Sequence, residues 1–213
     1  MKFTKIQVGS FLVILFHVVG FAGFLIPQLE QLFRLLVPWH LLLMLALMLI
    51  TQRERGRGFF VFLFLIYVAG FIVETAGTNT GLIFGDYSYG ATLGIKVFET
   101  PLMIGVNWIL VIYSGGALLW QLGIKDAFKG AIAGAAMVTF LDYLIEPVAI
   151  HFDYWSWHGE PVPIQNYIGW FVFSALLFLL FYKLPFRKAN IAAAVLFITQ
   201  LLFFLALNIF ALR

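Results

Sequence analysis

The sequence has few charged residues and no cysteine. Only 11% of its 213 residues are charged, whereas a soluble domain usually carries about a quarter. Hydrophobic residues make up 63% of the chain, and the mean hydropathy is +1.01. This number of charged residues is too small to cover the surface of a water-soluble globule. Most of the surface must therefore face lipid. The absence of cysteine excludes disulfide bonds and thiolate metal sites.

Other absences exclude further classes of function. The basic residues lie between apolar segments rather than in one patch, which argues against a nucleic-acid partner despite the net charge of +3. His17 and His40 have no ligand at metal spacing, and His151 and His158 in a loop give only a weak metal pattern. The chain lacks a Gly-rich phosphate loop and a lysine in its last apolar segment for a retinal Schiff base. We therefore expect no metal and no cofactor.

Seven apolar segments are long enough, or nearly so, to span a bilayer, which takes about 20 residues. Their apolar runs do not alternate with polar residues as barrel strands would. The sequence predicts an all-α, polytopic membrane protein of about seven transmembrane helices in a single transmembrane domain, residues 1–213. The predicted segments are 6–26, 34–51, 58–75, 99–120, 127–150, 166–184 and 190–212.

The loop charges predict an orientation. Cytoplasmic loops carry an excess of lysine and arginine, which places the N-terminus inside and the C-terminus outside the cytoplasmic membrane. The basic residues that this arrangement leaves outside are Arg34, Lys96 and Arg213. Two long loops, 76–98 and 151–165, then fall on the outer side.

Four polar residues at membrane depth are the candidate catalytic residues. Glu74 ends the predicted third helix, and Asn107 lies in the fourth, two turns after its first residue, Glu99, which is not one of the four. Asp142 and Glu146 are four residues apart and therefore share one face of the fifth helix, just before Pro147. Polar groups at this depth are costly, so each is a functional hypothesis.

The two neighbouring carboxyl groups predict acid–base chemistry. Asp142 and Glu146 cannot both ionise cheaply in a low-dielectric environment, so one should keep its proton at neutral pH. A protonated carboxylic acid beside an ionised one is an acid–base pair.

The remaining polar and aromatic residues on this side have plainer interpretations as well. Glu99, Asp153 and Glu160 also fit interfacial carboxylates in water, and Asp86 fits a turn residue. The aromatic residues fit an interfacial belt. Their density from Asp153 to Trp157 also fits rings that pack against a polyene or stabilise a carbocation.

Two sets of motifs resemble a known family. The first set is Glu74, Gly77, Thr80-Gly81, Gly85-Asp86-Tyr87-Ser88-Tyr89, Pro101-Leu102 and Gly105-Val106-Asn107-Trp108. The second is Asp142-Tyr143-Leu144-Ile145-Glu146-Pro147-Val148-Ala149, Asp153-Tyr154-Trp155-Ser156-Trp157, Pro163, Asn166 and Gly169-Trp170. Their order and spacing over residues 70–172 resemble the carotenoid biosynthesis membrane family. That family includes the carotenoid 1′,2′-hydratases of bacteria and the bisanhydrobacterioruberin hydratases of archaea.

The resemblance implies cofactor-independent addition of water to the terminal double bond of an acyclic carotenoid. Asp142 or Glu146 would donate the proton, the other or Glu74 would orient water, and Asn107 would hold that water. Tyr154, Trp155 and Trp170 would line the polyene end. The full set of expected substrate contacts is Asp86, Tyr87, Glu99, Trp108, Tyr143, Asp153, Tyr154, Trp155, Asn166 and Trp170.

Two alternatives remain open from the sequence. A carotenoid cyclase or isomerase could use the same acids, because each of these reactions begins with protonation of an alkene. The second alternative is a non-enzymatic lipid-binding protein or a proton-coupled transporter. Transporters often show inverted repeats and sites at the bilayer midplane, whereas this chain shows no repeat and its acids lie toward one face.

Overall fold

The computed structural model describes residues 3–159 and 161–212, so Met1, Lys2, Glu160 and Arg213 lie outside the described residues. Within those ranges, seven helices are long and apolar enough to cross a membrane, which confirms the predicted all-α membrane fold. The helices are α1 (Lys5–Leu25), α2 (Pro27–Thr51), α3 (Arg57–Thr80), α4 (Met103–Gln121), α5 (Ala127–His151), α6 (Ile164–Lys183) and α7 (Ile191–Phe210).

Side-chain caps fix several helix starts. Thr4 and Gln7 form a capping box at the start of α1, and Asp126 accepts a hydrogen bond from the Lys129 amide at the start of α5. The second helix begins at Pro27 rather than at the predicted residue 34. Proline is well suited to a first helical position, where its missing N–H has no partner to lose.

The prediction that Glu99 begins the fourth helix is wrong. Phe98 and Glu99 both have positive φ, 51° and 62°, and form the two-residue turn of a hairpin. Its strands are β2 (Lys96–Val97) and β3 (Thr100–Pro101), so α4 starts only at Met103. The third helix correspondingly runs past the predicted residue 75 to Thr80 and is capped by Gly81, whose φ of 67° suits glycine.

The fourth helix lies at the centre of the bundle. It is buried along nearly its whole length and contacts α2, α3, α5, α6 and α7. The first helix lies at one side, packed against α2 and α7. The other helices present apolar side chains outward, as expected of surfaces that face lipid. Pro147 lies inside α5, which continues to His151.

A two-stranded ribbon joins the two long loops at one end of the bundle. Strand β1 (Tyr87–Tyr89), after α3, pairs antiparallel with β4 (Trp155–Trp157), after α5. Because side chains alternate along a strand, Ser88 and Ser156 point outward and the flanking aromatic side chains point into the bundle. We call this pair the aromatic ribbon; its inward side chains are Tyr87, Tyr89, Trp155 and Trp157.

Small residues let α5 and α6 approach closely. A Cβ at Gly134 would lie 2.6 Å from the Phe178 ring, and one at Gly130 would meet the ring of Tyr182. Glycines four residues apart on one helix face recur at close contacts between membrane helices. The ring of Phe178 and that of Tyr182, also four apart, fill the space that these glycines leave.

We predict that Gly134→Leu lowers the free energy of unfolding by about 1–3 kcal/mol, because the added side chain overpacks the contact with Phe178. The midpoint of SDS-induced unfolding in mixed micelles measures the change. Gly56→Ala is the matched control, since a Cβ there meets nothing within 4 Å. An unchanged midpoint for Gly134→Leu would contradict the close packing of these helices.

The orientation given by the loop charges stays a prediction, and the lack of cysteine makes it simple to test. We expect single cysteines introduced as Ser156→Cys and Gln121→Cys, at opposite ends of the bundle, to react differently with a membrane-impermeant thiol reagent. In intact cells Ser156→Cys should be labelled and Gln121→Cys only after lysis. The reverse pattern would overturn the predicted orientation.

Candidate functional site

Three carboxyl groups lie buried beneath the aromatic ribbon. Glu74 is 4% exposed, Asp142 1% and Glu146 2%. Among the described residues, none of the three forms an ion pair with a lysine, an arginine or a histidine. Their hydrogen bonds come instead from neutral donors, so the stability of the site depends on where those donors are placed.

Glu74 accepts three of these hydrogen bonds. The hydroxyls of Tyr87 and Tyr89 donate to its Oε2 at 2.6 and 2.7 Å, and Trp108 Nε1 donates to Oε1 at 3.0 Å. Burial, together with the charge of Glu74, raises the pKa of Tyr87 and of Tyr89. Both phenols therefore remain protonated and act as hydrogen-bond donors.

Glu146 and Asp142 share a donor on α6. Asn166 Nδ2 lies 2.8 Å from Asp142 Oδ2 and 3.2 Å from Glu146 Oε1, so one amide bridges the two carboxyl groups. The indole nitrogens of Trp155 and Trp157 donate to Glu146 Oε2 at 3.0 and 2.9 Å. Glu146, like Glu74, is thus surrounded by donors on both oxygens.

Asp142 differs from the two glutamates. Its Oδ1 is buried and is the one oxygen of the three carboxyl groups with no hydrogen-bond partner among the described residues. An ionised carboxylate only accepts hydrogen bonds, whereas a protonated one also donates. The arrangement therefore suits carboxylates at Glu74 and Glu146 and leaves room for an acidic proton on Asp142 Oδ1.

A small polar cavity of about 20 Å³ lies between these groups. A cavity of this size holds about one water molecule when polar groups surround it. Its lining residues are Glu74, Phe84, Tyr87, Tyr89, Ile104, Asn107, Asp142, Glu146, Trp155, Trp157, Asn166 and Trp170.

A much larger cavity of about 330 Å³ adjoins it, formed mainly by apolar side chains of α1, α2 and α7. We call it the apolar chamber. Ile104, Asn107 and Trp155 line both cavities and so form the boundary between them. Phe16 and Trp39 line the chamber and are 38% and 67% exposed, so the chamber opens at the apolar surface of the bundle, which is expected to face lipid.

Most of the predicted site residues come together here. All four candidate catalytic residues line the small cavity, as do Tyr87, Trp155, Asn166 and Trp170. Trp108 bonds to Glu74 and stacks on Trp170 with ring centroids 4.4 Å apart. Tyr154 lines the apolar chamber.

Five predicted substrate contacts lie outside the lining of both cavities. One is Trp108, which nevertheless contacts Glu74 and Trp170, and the other four are directed away from the carboxyl groups. Asp86 is at the surface, where His158 Nδ1 lies 2.9 Å from its Oδ1. Asp153 Oδ2 lies 3.5 Å from Arg34 Nη2. Glu99 is exposed in its hairpin turn. Tyr143 is 56% exposed and packs against Tyr167. These four side chains are placed by turns and by the outward face of α5, which direct them away from the carboxyl groups.

Other residues of the site were not singled out from the sequence. Tyr89 and Trp157 belong to the motifs quoted above but are not among the predicted site residues, although their alternation with Ser88 and Ser156 is a strand signal. Gln200, in the middle of the apolar seventh helix, lines the chamber together with His17 and His40. An isolated polar residue at membrane depth is the signal that identifies it.

The fold and the site define a polytopic membrane protein with buried carboxyl groups next to a lipid-accessible chamber. Residues 35–212 match the family described as carotenoid biosynthesis protein, and the chain belongs to that family. This confirms the resemblance found in the motifs. The match extends on both sides of residues 70–172, which carry those motifs.

One relative is the bisanhydrobacterioruberin hydratase of Haloarcula japonica. It is 26% identical over 122 residues, which cover 51% of this chain and 40% of the relative. The chain thus spans about two fifths of the relative's length. No solved structure matches the chain.

We predict that Tyr89→Phe lowers the free energy of unfolding by about 1–3 kcal/mol, because it removes a donor from a buried carboxyl group. SDS-induced unfolding measures the loss. Tyr143→Phe is the matched control, since the Tyr143 hydroxyl makes no hydrogen bond to the described residues. When Tyr89→Phe is combined with Glu74→Leu, the loss should be smaller than the sum of the two single losses. Simple additivity would show that the hydrogen bond contributes nothing.

Proposed function

We propose that this protein is a carotenoid hydratase, which adds water to the terminal double bond of an acyclic carotenoid end group. One observation carries the proposal: a polar cavity for about one water adjoins an apolar chamber that is accessible from lipid. Membership of the carotenoid biosynthesis family supports it, as does a relative named a hydratase. The product would be a tertiary alcohol.

The apolar chamber suits the end of a polyene. Its volume of about 330 Å³ is roughly twice that of an engineered apolar cavity that binds benzene, so it accommodates a branched isoprenoid end rather than a whole carotenoid. The rest of the polyene would extend into the bilayer past Phe16 and Trp39. The terminal double bond would then reach the boundary formed by Asn107 and Trp155.

The first step is protonation of the alkene. Asp142 is the best candidate for the acid, because its Oδ1 has no competing partner while both oxygens of Glu146 accept hydrogen bonds. The π electrons of the double bond form the new C–H bond at the less substituted carbon. The tertiary cation that results is stabilised by the negative charge of Glu146 and by the aromatic faces of Trp155 and Trp170.

The second step is capture of the cation by water. A water in the small cavity would lie among Glu74, Asn107 and Glu146, where Asn107 can position it by hydrogen bonds. The water oxygen forms the C–O bond and its proton passes to Glu146. Transfer of that proton to the ionised Asp142 restores the starting state, and the Asn166 amide that binds both carboxyl groups keeps them adjacent. The sum is alkene plus water giving alcohol, with no oxidation or reduction.

We predict that Asp142→Asn and Glu146→Gln each lower hydration at least a hundredfold, since acid–base groups typically contribute 10²–10⁴-fold. The test is co-expression with a pathway that makes acyclic carotenoids, followed by mass analysis of the pigments. The product should be heavier than its substrate by one water. Glu54→Gln is the matched control, because Glu54 pairs with Arg187 at the opposite end of the bundle.

Two outcomes would contradict this proposal. Products with the same mass as the substrate would indicate a cyclase or isomerase, which uses the acids without adding water. Wild-type amounts of product from both amide variants would remove Asp142 and Glu146 from the chemistry. Normal membrane levels of each variant must be confirmed by immunoblot.

A further inference from the structure

The apolar chamber contains a group of polar side chains that the proposed hydration does not use. His17, His40 and Gln200 lie near the middle of α1, α2 and α7, and all three line the chamber. The His17 and His40 rings meet edge to face with centroids 4.7 Å apart. Most of the other lining residues are apolar. Burying a polar side chain at membrane depth costs free energy, so three of them in one chamber indicate a function.

His17 presents a hydrogen-bond acceptor. It is only 5% exposed, and its Nδ1 lies 2.8 Å from the carbonyl oxygen of Val13. A carbonyl can only accept, so Nδ1 carries the hydrogen. In the neutral ring Nε2 then has a free lone pair and acts as an acceptor. His40 makes no hydrogen bond to the described residues.

Gln200 presents an amide group. It is 6% exposed, and its Oε1 has no hydrogen-bond partner among the described residues. Phe203, three residues further along α7 and hence on the same helix face, packs edge-on against the His17 ring at 5.5 Å. Gln200 therefore lies on the side of α7 that faces His17. The amide Nε2 of Gln200 is a donor and can bond to the oxygen of a ligand in the chamber.

We propose that His17 and Gln200 bind a hydroxyl group of an isoprenoid alcohol in the apolar chamber. The one hydrogen of a hydroxyl is donated to His17 Nε2, and the hydroxyl oxygen accepts a hydrogen bond from the amide Nε2 of Gln200. A ketone or an ether has no hydrogen to donate to His17. This inference rests on the proposed function for the identity of the polyene. It adds that the bound molecule carries a hydroxyl on the segment inside the chamber.

The test measures binding without chemistry. The probes are a saturated branched isoprenoid alcohol and the hydrocarbon of the same carbon skeleton, neither of which can be hydrated. Purified protein in lipid nanodiscs is titrated with each, and the fluorescence of Trp39 and Trp155, which line the chamber, reports occupancy. The quantity compared is the ratio of the two dissociation constants.

We expect the wild-type protein to bind the alcohol roughly tenfold more tightly than the hydrocarbon, as two neutral hydrogen bonds allow. Gln200→Leu and His17→Phe should each lower this ratio several-fold and leave hydrocarbon binding unchanged. Gln200→Met, closer in length, replaces Gln200→Leu if that variant does not fold. Gln121→Leu and His151→Phe are the matched controls, because neither residue lines the chamber.

A wild-type ratio near one would overturn the proposal, as would an equal ratio in the Gln200 and His17 variants and in their controls. The two proposals fail separately. Preferential binding of the alcohol with no hydrated carotenoid in cells would reject the hydratase and keep the hydroxyl site. Hydrated carotenoid in cells together with equal binding of the alcohol and the hydrocarbon would reject the hydroxyl site and keep the hydratase.

Discussion

The site depends on neutral hydrogen-bond donors, because no positively charged side chain pairs with its buried carboxyl groups among the described residues. Glu74 and Glu146 each accept three hydrogen bonds, all from phenol, indole or amide groups. A lysine or arginine in the same place would neutralise the carboxylates and make them poor bases. Neutral donors stabilise the charge while leaving it able to take a proton. This requires the four inward side chains of the aromatic ribbon to be held at fixed positions, which the pairing of β1 with β4 achieves.

The ribbon also explains how water and a lipid-soluble molecule could meet. It closes the polar cavity from one end of the bundle, while the apolar chamber reaches lipid from the side. Asn107 and Trp155 line both cavities, so a polar and an aromatic side chain form the boundary between the space for water and the space for an apolar molecule. The small cavity has room for about one water, which is what the proposed addition of a single water requires.

Sequence reasoning recovered the parts of the site that follow from helix geometry. The seven spans and the pairing of Asp142 with Glu146 on one face of α5 both depend only on apolar length and on the helical period. The ribbon could not be derived in this way, because its strands belong to loops far apart in the chain, and the short alternation in each loop does not show that the two strands pair. Asp86, Glu99 and Asp153 were grouped by charge and by loop membership, which do not determine side-chain direction. His17 and Gln200 line the same chamber only because α1 packs against α7, a tertiary contact that no local pattern encodes.

The central claim is that a buried carboxylic acid protonates an alkene and that one enclosed water captures the cation. The most direct test incubates purified protein and an acyclic carotenoid in ¹⁸O-labelled heavy water, with no membrane gradient, and analyses the product by mass spectrometry. The account predicts a tertiary alcohol with the labelled oxygen on one carbon and one non-exchangeable deuterium on the neighbouring carbon. A product that contains deuterium but no labelled oxygen, or the absence of any product, would contradict it.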